Sequence, residues 1–381
     1  MRILHVVNDA QTGGAQTLIE GLARQRHPDD EVHLLVLMAP GALSERFAAS
    51  LDSVSYVGMQ KRDVLPWRAI RMLRELVLGR RIELVHSHLA QSDLVSALSR
   101  IAVPKVSTVH VSSSHQTRAI SRMVGKAVAR LSKRFTVVAC SPSAFEYAIQ
   151  SGYRVAPSLI RNGTRIADAV LAPELLRRRQ RSRRFVQLAR WHPVKGHADL
   201  FAALAILRSS HPEVRLDCAG LGMDADNPEL AASLAAHGVA DLVTLHGSVQ
   251  NVRELFDGAR ALVSPSTHEA LPMAGIEALS AGLPVLSTDV GDCAELTVRP
   301  EFLIAPGRPK ELAAAMAGLL ELPDPQYQAV SRAAAERARE RFDERSAAAD
   351  YRALYAGLLF SCARARSAAA ARFSGAGTAR R

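Results

Sequence analysis

Short runs of β-branched and other apolar residues alternate along the chain with longer stretches in which Leu and Ala recur every three or four positions. Runs of the first kind predict buried strands, and the second kind predict amphipathic helices. Five strands are expected in the first series: Arg2–Val7, Val32–Leu37, Leu84–His86, Lys105–His110 and Thr136–Ala139. Five more follow: Arg184–Leu188, Val214–Ala219, Val243–His246, Ala261–Ser264 and Pro284–Ser287. Strand–helix alternation of this kind implies parallel sheets covered on both faces. Ten strands are many for one sheet and the series restarts after a break, so the pattern predicts an α/β protein of two doubly wound domains. The break is Asn162-Gly163, turn chemistry because both residues tolerate positive φ. A polar stretch follows it, ending in a basic run from Arg177 to Arg184 that reads as a solvated linker or helix face. The last helical pattern, from Glu344 to Phe360, places Tyr351, Leu354, Tyr355, Leu358 and Leu359 on one side. Beyond it, residues 363–381 carry five arginines and no acid, and read as a disordered basic tail.

Composition narrows the class. The 381 residues are 48% hydrophobic and 22% charged, enough for large cores without disulfides or metals. Cys140, Cys218, Cys293 and Cys362 are far apart with no C-x-x-C pair, which argues against zinc ribbons and disulfide frameworks and for a reducing compartment. The apolar start Met1–Val7 ends at Asn8-Asp9, and Ala353–Ala363 is too short to span a bilayer, so the expected location is cytoplasmic. A net charge of +11 calls for an anionic partner: nucleic acid, anionic lipid or a phosphorylated substrate.

Several segments carry candidate chemistry. Gly13-Gly14-Ala15 follows the first strand and opens a helix, where glycines admit a ligand close to backbone N–H groups and the helix end favours anions. It does not match G-x-G-x-x-G, which disfavours a dinucleotide. Gly220-Leu-Gly222 is a degenerate version, but Pro228 delays the next helix, so it reads as a turn. Asp224-Ala-Asp226 could suit a hard cation, yet beside Asn227-Pro228 it reads as solvated loop carboxylates, and no metal is expected. Arg190 and Lys195 follow the strand Phe185–Leu188, at the strand end where open parallel sheets bind ligands. Arg supplies a fork of donors and Lys a point charge for phosphate oxygens. From Ser264 to Ser287 the sequence reads strand, loop, helix, stop, strand, with Pro272 in the first turn and Gly282 at the stop. Glu269 then lies in the loop and Glu277 inside the helix, on either side of a helix N-terminus that can take a diphosphate.

These motifs, in this order, resemble the retaining glycosyltransferases of family 4, with the GT-B fold of two Rossmann-like domains facing across a cleft. The resemblance extends to about residue 361 and rests on the Gly-Gly loop, Val85-His-Ser-His88, Thr108-Val-His110, Asn162-Gly163, Arg190…Lys195-Gly196, Gly247-Ser248-Val249, the Glu269/Glu277 pair and Asp289-Val-Gly291-Asp-Cys-Ala-Glu295. It implies an acceptor-side domain 1–164, a linker 165–183, a donor-side domain 184–345 and a helix 346–362 that packs back on the first domain. It further implies that Arg190 and Lys195 neutralise the leaving diphosphate, Glu277 binds ribose hydroxyls and Glu269 those of the donor sugar. Backbone at Val249 would meet the base, and backbone at Leu271 and Met273 the sugar or phosphates. His110 and Gly13-Gly14 would close over the reacting end; His88 stays open between a structural and a site role. Where many members have Gly-Phe-Gly after the first Glu, this chain has Ala270-Leu-Pro272, and Pro272 removes one N–H donor. The implied reaction is α-retaining transfer from a nucleotide sugar to a glycan or lipid-linked acceptor. It would pass through an oxocarbenium-like state by a front-side route, with no cofactor.

Two other classes compete. A nicotinamide oxidoreductase would suit two Rossmann-like domains but lacks the fingerprint after the first strand. A nucleic-acid-binding protein would suit the charge, but the basic runs lack interleaved aromatics, so no nucleic acid is expected. The charge points instead to an anionic membrane surface against the first domain. Arg118, Arg122, Lys126 and Arg130 recur every four residues, and Lys61-Arg62 and Trp67 lie in a second basic segment.

Overall fold

Near-continuous burial along most strands builds two separate sheets in a computed structural model. It describes every residue except 12, 61–65, 112–118, 167–170 and 376–381, and the backbone alone at 119–122, 366 and 368–375. The first sheet has seven parallel strands: β1 (Arg2–Val7), β2 (Glu31–Val36), β3 (Ser53–Tyr56), β4 (Leu84–His88), β5 (Lys105–Val109), β6 (Thr136–Ala139) and β7 (Ser158–Leu159), in the order β3-β2-β1-β4-β5-β6-β7. The second has six, β8 (Arg184–Leu188), β9 (Arg215–Ala219), β10 (Val243–Leu245), β11 (Ala261–Ser264), β12 (Val285–Thr288) and β13 (Leu303–Ile304), in the order β10-β9-β8-β11-β12-β13. In each sheet the order reverses beside the first strand of its series, β1 or β8, which is where open α/β sheets present a ligand crevice.

Helices cover both faces, so the strands carry apolar residues on both. Phe185, Leu216 and Val263 face one core, while Val186, Leu262 and Val285 face the other. The pairing of β1 with β4 sets His5 opposite His86, and the two-residue period puts His88 on the same face as His86. No helix among the described residues is long and apolar enough to cross a membrane.

The chain divides into two compact units, one of residues 1–162 with 344–381, the other of residues 163–343. The structure differs from the expected reading of the chain in three places. Part of the expected linker is a helix, Pro173–Arg181, that belongs to the second unit. Its Arg179 is fully buried, donating to the carbonyls of Phe256 (3.1 Å) and Ala281 (2.8 Å) and pairing with Asp257 at 3.2 Å. The basic run is therefore not wholly solvated, because one of its cations satisfies helix-end carbonyls in the core. The third difference is the last helix, which spans Glu344–Gly375 and continues through much of the segment expected to be disordered. Ala363, Ala365 and Ala368–Ala371 explain this, since alanine has the highest helix propensity. Tyr351 and Tyr355 of that helix pack with Ile3, Leu84, Val106 and Val138, and its Glu344 accepts from Arg24 (2.7 Å) and Gln25 (3.0 Å). A second buried cation, Arg260, donates to the carbonyl of Leu319 (3.0 Å) at the end of the helix Pro309–Glu321 and lies 4.0 Å from the Tyr327 ring.

Candidate active site

In the second unit, two loops at strand carboxyl ends supply the charged groups. The first follows β8. His197 fixes it, with Nδ1 against Gln187 Oε1 (2.8 Å) and Nε2 against the Arg190 carbonyl (3.0 Å). Trp191 stacks on that imidazole and donates to Glu229 (3.1 Å). The loop ends at Gly196, whose φ of +66° and position 1.9 Å from the Pro265 carbonyl oxygen, measured from a Cβ built there, admit only glycine. The second loop follows β11 and leads into the helix Met273–Ser280. Thr267 N donates to the Val194 carbonyl (2.8 Å), so the two loops are tied together through their backbones.

That tie brings Lys195 and Glu269 into contact. Lys195 Nζ donates to Glu269 Oε1, which also accepts from Ser266 Oγ at 2.8 Å. Their side chains are only 21% and 12% exposed, so the pair is held with little water around it. Gly291 presses on the same loop: a Cβ there would lie 2.1 Å from the Glu269 carbonyl oxygen, and Asp292 N donates to the Ala270 carbonyl (2.8 Å). Arg190 is exposed and makes no ion pair among the described residues. Burial, then the nearby cations Arg190 and Lys195, holds the His192 imidazole below its ordinary pKa.

Past the second loop, Pro272 caps the helix Met273–Ser280 and its carbonyl accepts from Gly275 N (3.0 Å), leaving the earliest N–H groups without an intrahelical acceptor. Leu271 is buried in the core, so only its backbone can serve a ligand, while Met273 and Glu277 are half-buried. Val249 is half-buried in the loop after β10. Asp226 is exposed and Asp224 half-buried in a turn closed by Asn227. That residue caps the helix Pro228–His237 by accepting from Glu229 N (3.2 Å) and Leu230 N (3.3 Å).

In the first unit, Gly13 caps the helix Gly14–Arg24, and Gln16 of that helix donates to Asp9 Oδ1 (3.0 Å). His110 lies just past β5, its Nε2 3.2 Å from His88 Nδ1. Leu89, the next residue after His88, has φ +74°, a strained value for a leucine, where the chain turns into the helix Ala90–Leu98. Asp93 of that helix is buried, accepts from Ser87 Oγ (2.6 Å), and is pushed by burial up to about 7. Reading the sequence missed Ser266, His197 and Asp93. Ser266 lies only three residues from Glu269, but nothing in its loop marks that serine over Ser264 or Thr267, while His197 and Asp93 act on partners in other elements, Gln187 and Ser87, that no local spacing marks.

Two family models match the chain in tandem: "Glycosyltransferase Family 4" over residues 12–168 and "Glycosyl transferases group 1" over residues 182–322. The chain belongs to the family 4 glycosyltransferases. Glycogen synthase of Mycobacterium tuberculosis is 29% identical over 278 residues, 69% of this glycosyltransferase chain and 66% of its own length, so the match spans just under two thirds of that relative. A GDP-mannose:cellobiosyl-diphosphopolyprenol α-mannosyltransferase of Xanthomonas oryzae is 34% identical over 108 residues, 28% of each chain. HepE of Anabaena, solved in complex with UDP, superposes with a TM-score of 0.77 at 22% identity, over 94% of this chain and 100% of its own. The two parallel-sheet α/β units thus have the GT-B glycosyltransferase fold. The oxidoreductase and nucleic-acid readings give way to this family.

Proposed function

We propose that the protein is a retaining glycosyltransferase. It moves a sugar from a UDP- or GDP-sugar to a glycan or lipid-linked acceptor in cell-surface polysaccharide or glycolipid synthesis, without a metal. The observation that carries this reading is the half-buried Lys195–Glu269 pair, braced by Ser266 and by the glycine contacts at Gly196 and Gly291. A cation and a carboxylate fixed side by side at strand ends suit a ligand that carries a diphosphate next to hydroxyl groups. Lys195 and Arg190 take the diphosphate, assisted by N–H groups at Met273 and by the Leu271 backbone. Glu269 accepts from sugar hydroxyls and Glu277 from the ribose, with Val249 toward the base. From the first unit, His110 and Gly13-Gly14 serve the reacting end. As the glycosidic bond lengthens, negative charge grows on the diphosphate and is stabilised by these preplaced donors. HepE with UDP and the relative named for GDP-mannose support a nucleotide-sugar donor and keep both bases in the proposal.

A panel of labelled UDP-, GDP- and ADP-sugars, followed for slow hydrolysis without acceptor, tests the reading. One donor should turn over in EDTA and yield product with the donor's anomeric configuration. Inversion, strict metal dependence or binding of none of the panel overturns it. Exposed Trp67, Met123, Lys126 and Arg130 support an anionic membrane surface as a partner of the first unit, in a cytoplasmic protein. Lys61, Arg62 and Arg118 lie outside the described residues, as does the Arg122 side chain. Co-sedimentation with anionic but not neutral vesicles tests that partner.

A further inference from the structure

Three imidazoles of the first unit run in a line. His5 Nδ1 lies 3.0 Å from His88 Nε2, and His88 Nδ1 lies 3.2 Å from His110 Nε2. At one end of the line, His110 Nδ1 is buried and has no partner among the described residues. At the other, His5 lines a cleft of about 30 Å³ with Tyr351 and Tyr355, rimmed by the exposed Gln25 and His27. A cleft of that size is large enough for a water molecule. His86 stands beside the line and is not part of it. Its Nδ1 bonds to Tyr355 Oη (2.6 Å), its Nε2 to Thr108 Oγ1 (2.7 Å), and its ring centroid lies 4.0 Å from that of His88. Ring nitrogens of His5, His86 and His88 come within 4.8 Å of one another, but those on the facing sides already bond to each other or to hydroxyls, which is the arrangement of a hydrogen-bonded line.

A neutral imidazole donates from one ring nitrogen and accepts at the other. Burial lowers the pKa of all three rings: His5 to about 3, His110 to about 4, and His88 well below its ordinary value. With one proton per ring, the two bonds allow only two arrangements. Either every ring carries its proton on Nδ1 and the line donates outward from His110, or every ring carries it on Nε2 and His110 Nδ1 accepts.

We propose that His88 and His5 are positioning residues for His110, forming one imidazole line in which all three rings share a tautomer and the far end opens to the cleft at Tyr351 and Tyr355. The role of His110 as a donor or acceptor toward substrate is thereby fixed by a residue two rings away. An anionic ligand at the His110 end favours the arrangement with protons pointing toward it, because that puts the positive end of the line against the charge.

This inference rests on the catalytic placement of His110 in the proposed function, and the test separates the two. In protein carrying ¹⁵N-labelled histidine, two-bond ¹H–¹⁵N correlation spectra read each tautomer without any assay of activity. His5, His88 and His110 are expected to be neutral and to share one tautomer at pH 7.5. Different tautomers on two of them, or a charged ring, overturn the line whatever the enzyme does. His5→Phe keeps the His88–His110 bond but removes the terminal ring, and should turn the uniform tautomer of the remaining pair into a mixture. It should lower kcat about tenfold at unchanged donor KM. Unchanged spectra and unchanged kcat in a folded His5→Phe protein overturn the proposal. Normal coupling of tautomers in a protein inactive on every donor leaves the line standing and contradicts the functional reading instead.

Discussion

Lys195 and Glu269 each give up water where they meet, and each is compensated mainly by the other. Removing one leaves the other charge half-buried and unpaired, which is the costly state. Lys195→Ala and Arg190→Ala should each cut turnover at least about tenfold, the effect of losing a charged hydrogen bond worth roughly 1.5–3 kcal/mol. Glu269→Gln should also lower turnover but leave nucleoside-diphosphate affinity nearly intact, whereas Glu277→Gln should weaken that affinity with or without a sugar attached. Titration calorimetry distinguishes the two, and equal shifts in both variants contradict the division of roles. The sequence made each of these residues legible through its place after a strand or in a helix. It did not make their pairing legible, because the contact joins positions 74 residues apart and depends on how two loops are tied. Asp93 was hidden for another reason: an acid among the polar residues Gln91, Ser92 and Ser96 reads as solvated, and the sequence gives no sign that it is buried. Its folded pKa, about 7, exceeds its unfolded value, so from about pH 4 to pH 7 the folded state holds a proton that the unfolded chain has released. Its contribution to stability is therefore complete in acid and is lost as pH rises through 7, at up to about 1.4 kcal/mol per pH unit. The difference in unfolding free energy between wild type and Asp93→Asn should fall between pH 5 and 7.5 and then level off. A difference that does not vary with pH means the carboxyl is ionised in the fold.

Elements were legible where the pattern was long. Ten of the thirteen strands among the described residues follow from apolar runs, to within a residue or two at their ends. Of the three not anticipated, β7 and β13 have two residues each, too few to display a period, and β3, Ser-Val-Ser-Tyr, sets serines between its apolar residues and so shows no apolar run. The helix Pro173–Arg181 was obscured by its four arginines and glutamine, which read as a solvated linker or helix face until Arg179 is seen donating to core carbonyls. Loops hold their shape through close approaches that composition does not reveal, and a pair of glycines separates the two physical causes. Gly196 and Gly238 have nearly the same φ, +66° and +64°, but only Gly196 has a neighbour where a Cβ would go. Gly238→Ala should cost about 1 kcal/mol of backbone strain and leave turnover unchanged. Gly196→Ala should cost more and depress turnover, since Pro265 and the loop bearing Glu269 must move. Denaturant midpoints and donor hydrolysis measured side by side check this, and equal losses in the two variants would mean the close approach does not matter.

At the scale of the molecule, the first unit is assembled from both ends of the sequence, with the second inserted between them. Glu344 receives Arg24, and Tyr355 bonds His86 under the sheet, so the last helix is part of the first unit's core. A chain ended at Asp343 should keep the second unit intact while the first loses protection. Hydrogen exchange should then rise across β1, β4 and β5 and stay unchanged across β8, β9 and β11. Full protection of β1 in that chain would mean the last helix is dispensable. The same connectivity has a consequence for the order in which the protein is made. The second unit is contiguous and can close as soon as it clears the ribosome. The first, although its strands emerge earlier, must wait with Ile3, Leu84 and Val106 uncovered until the final helix arrives. While the second unit is being translated, the strands of the first, already made, are the ones exposed to aggregation and to chaperones.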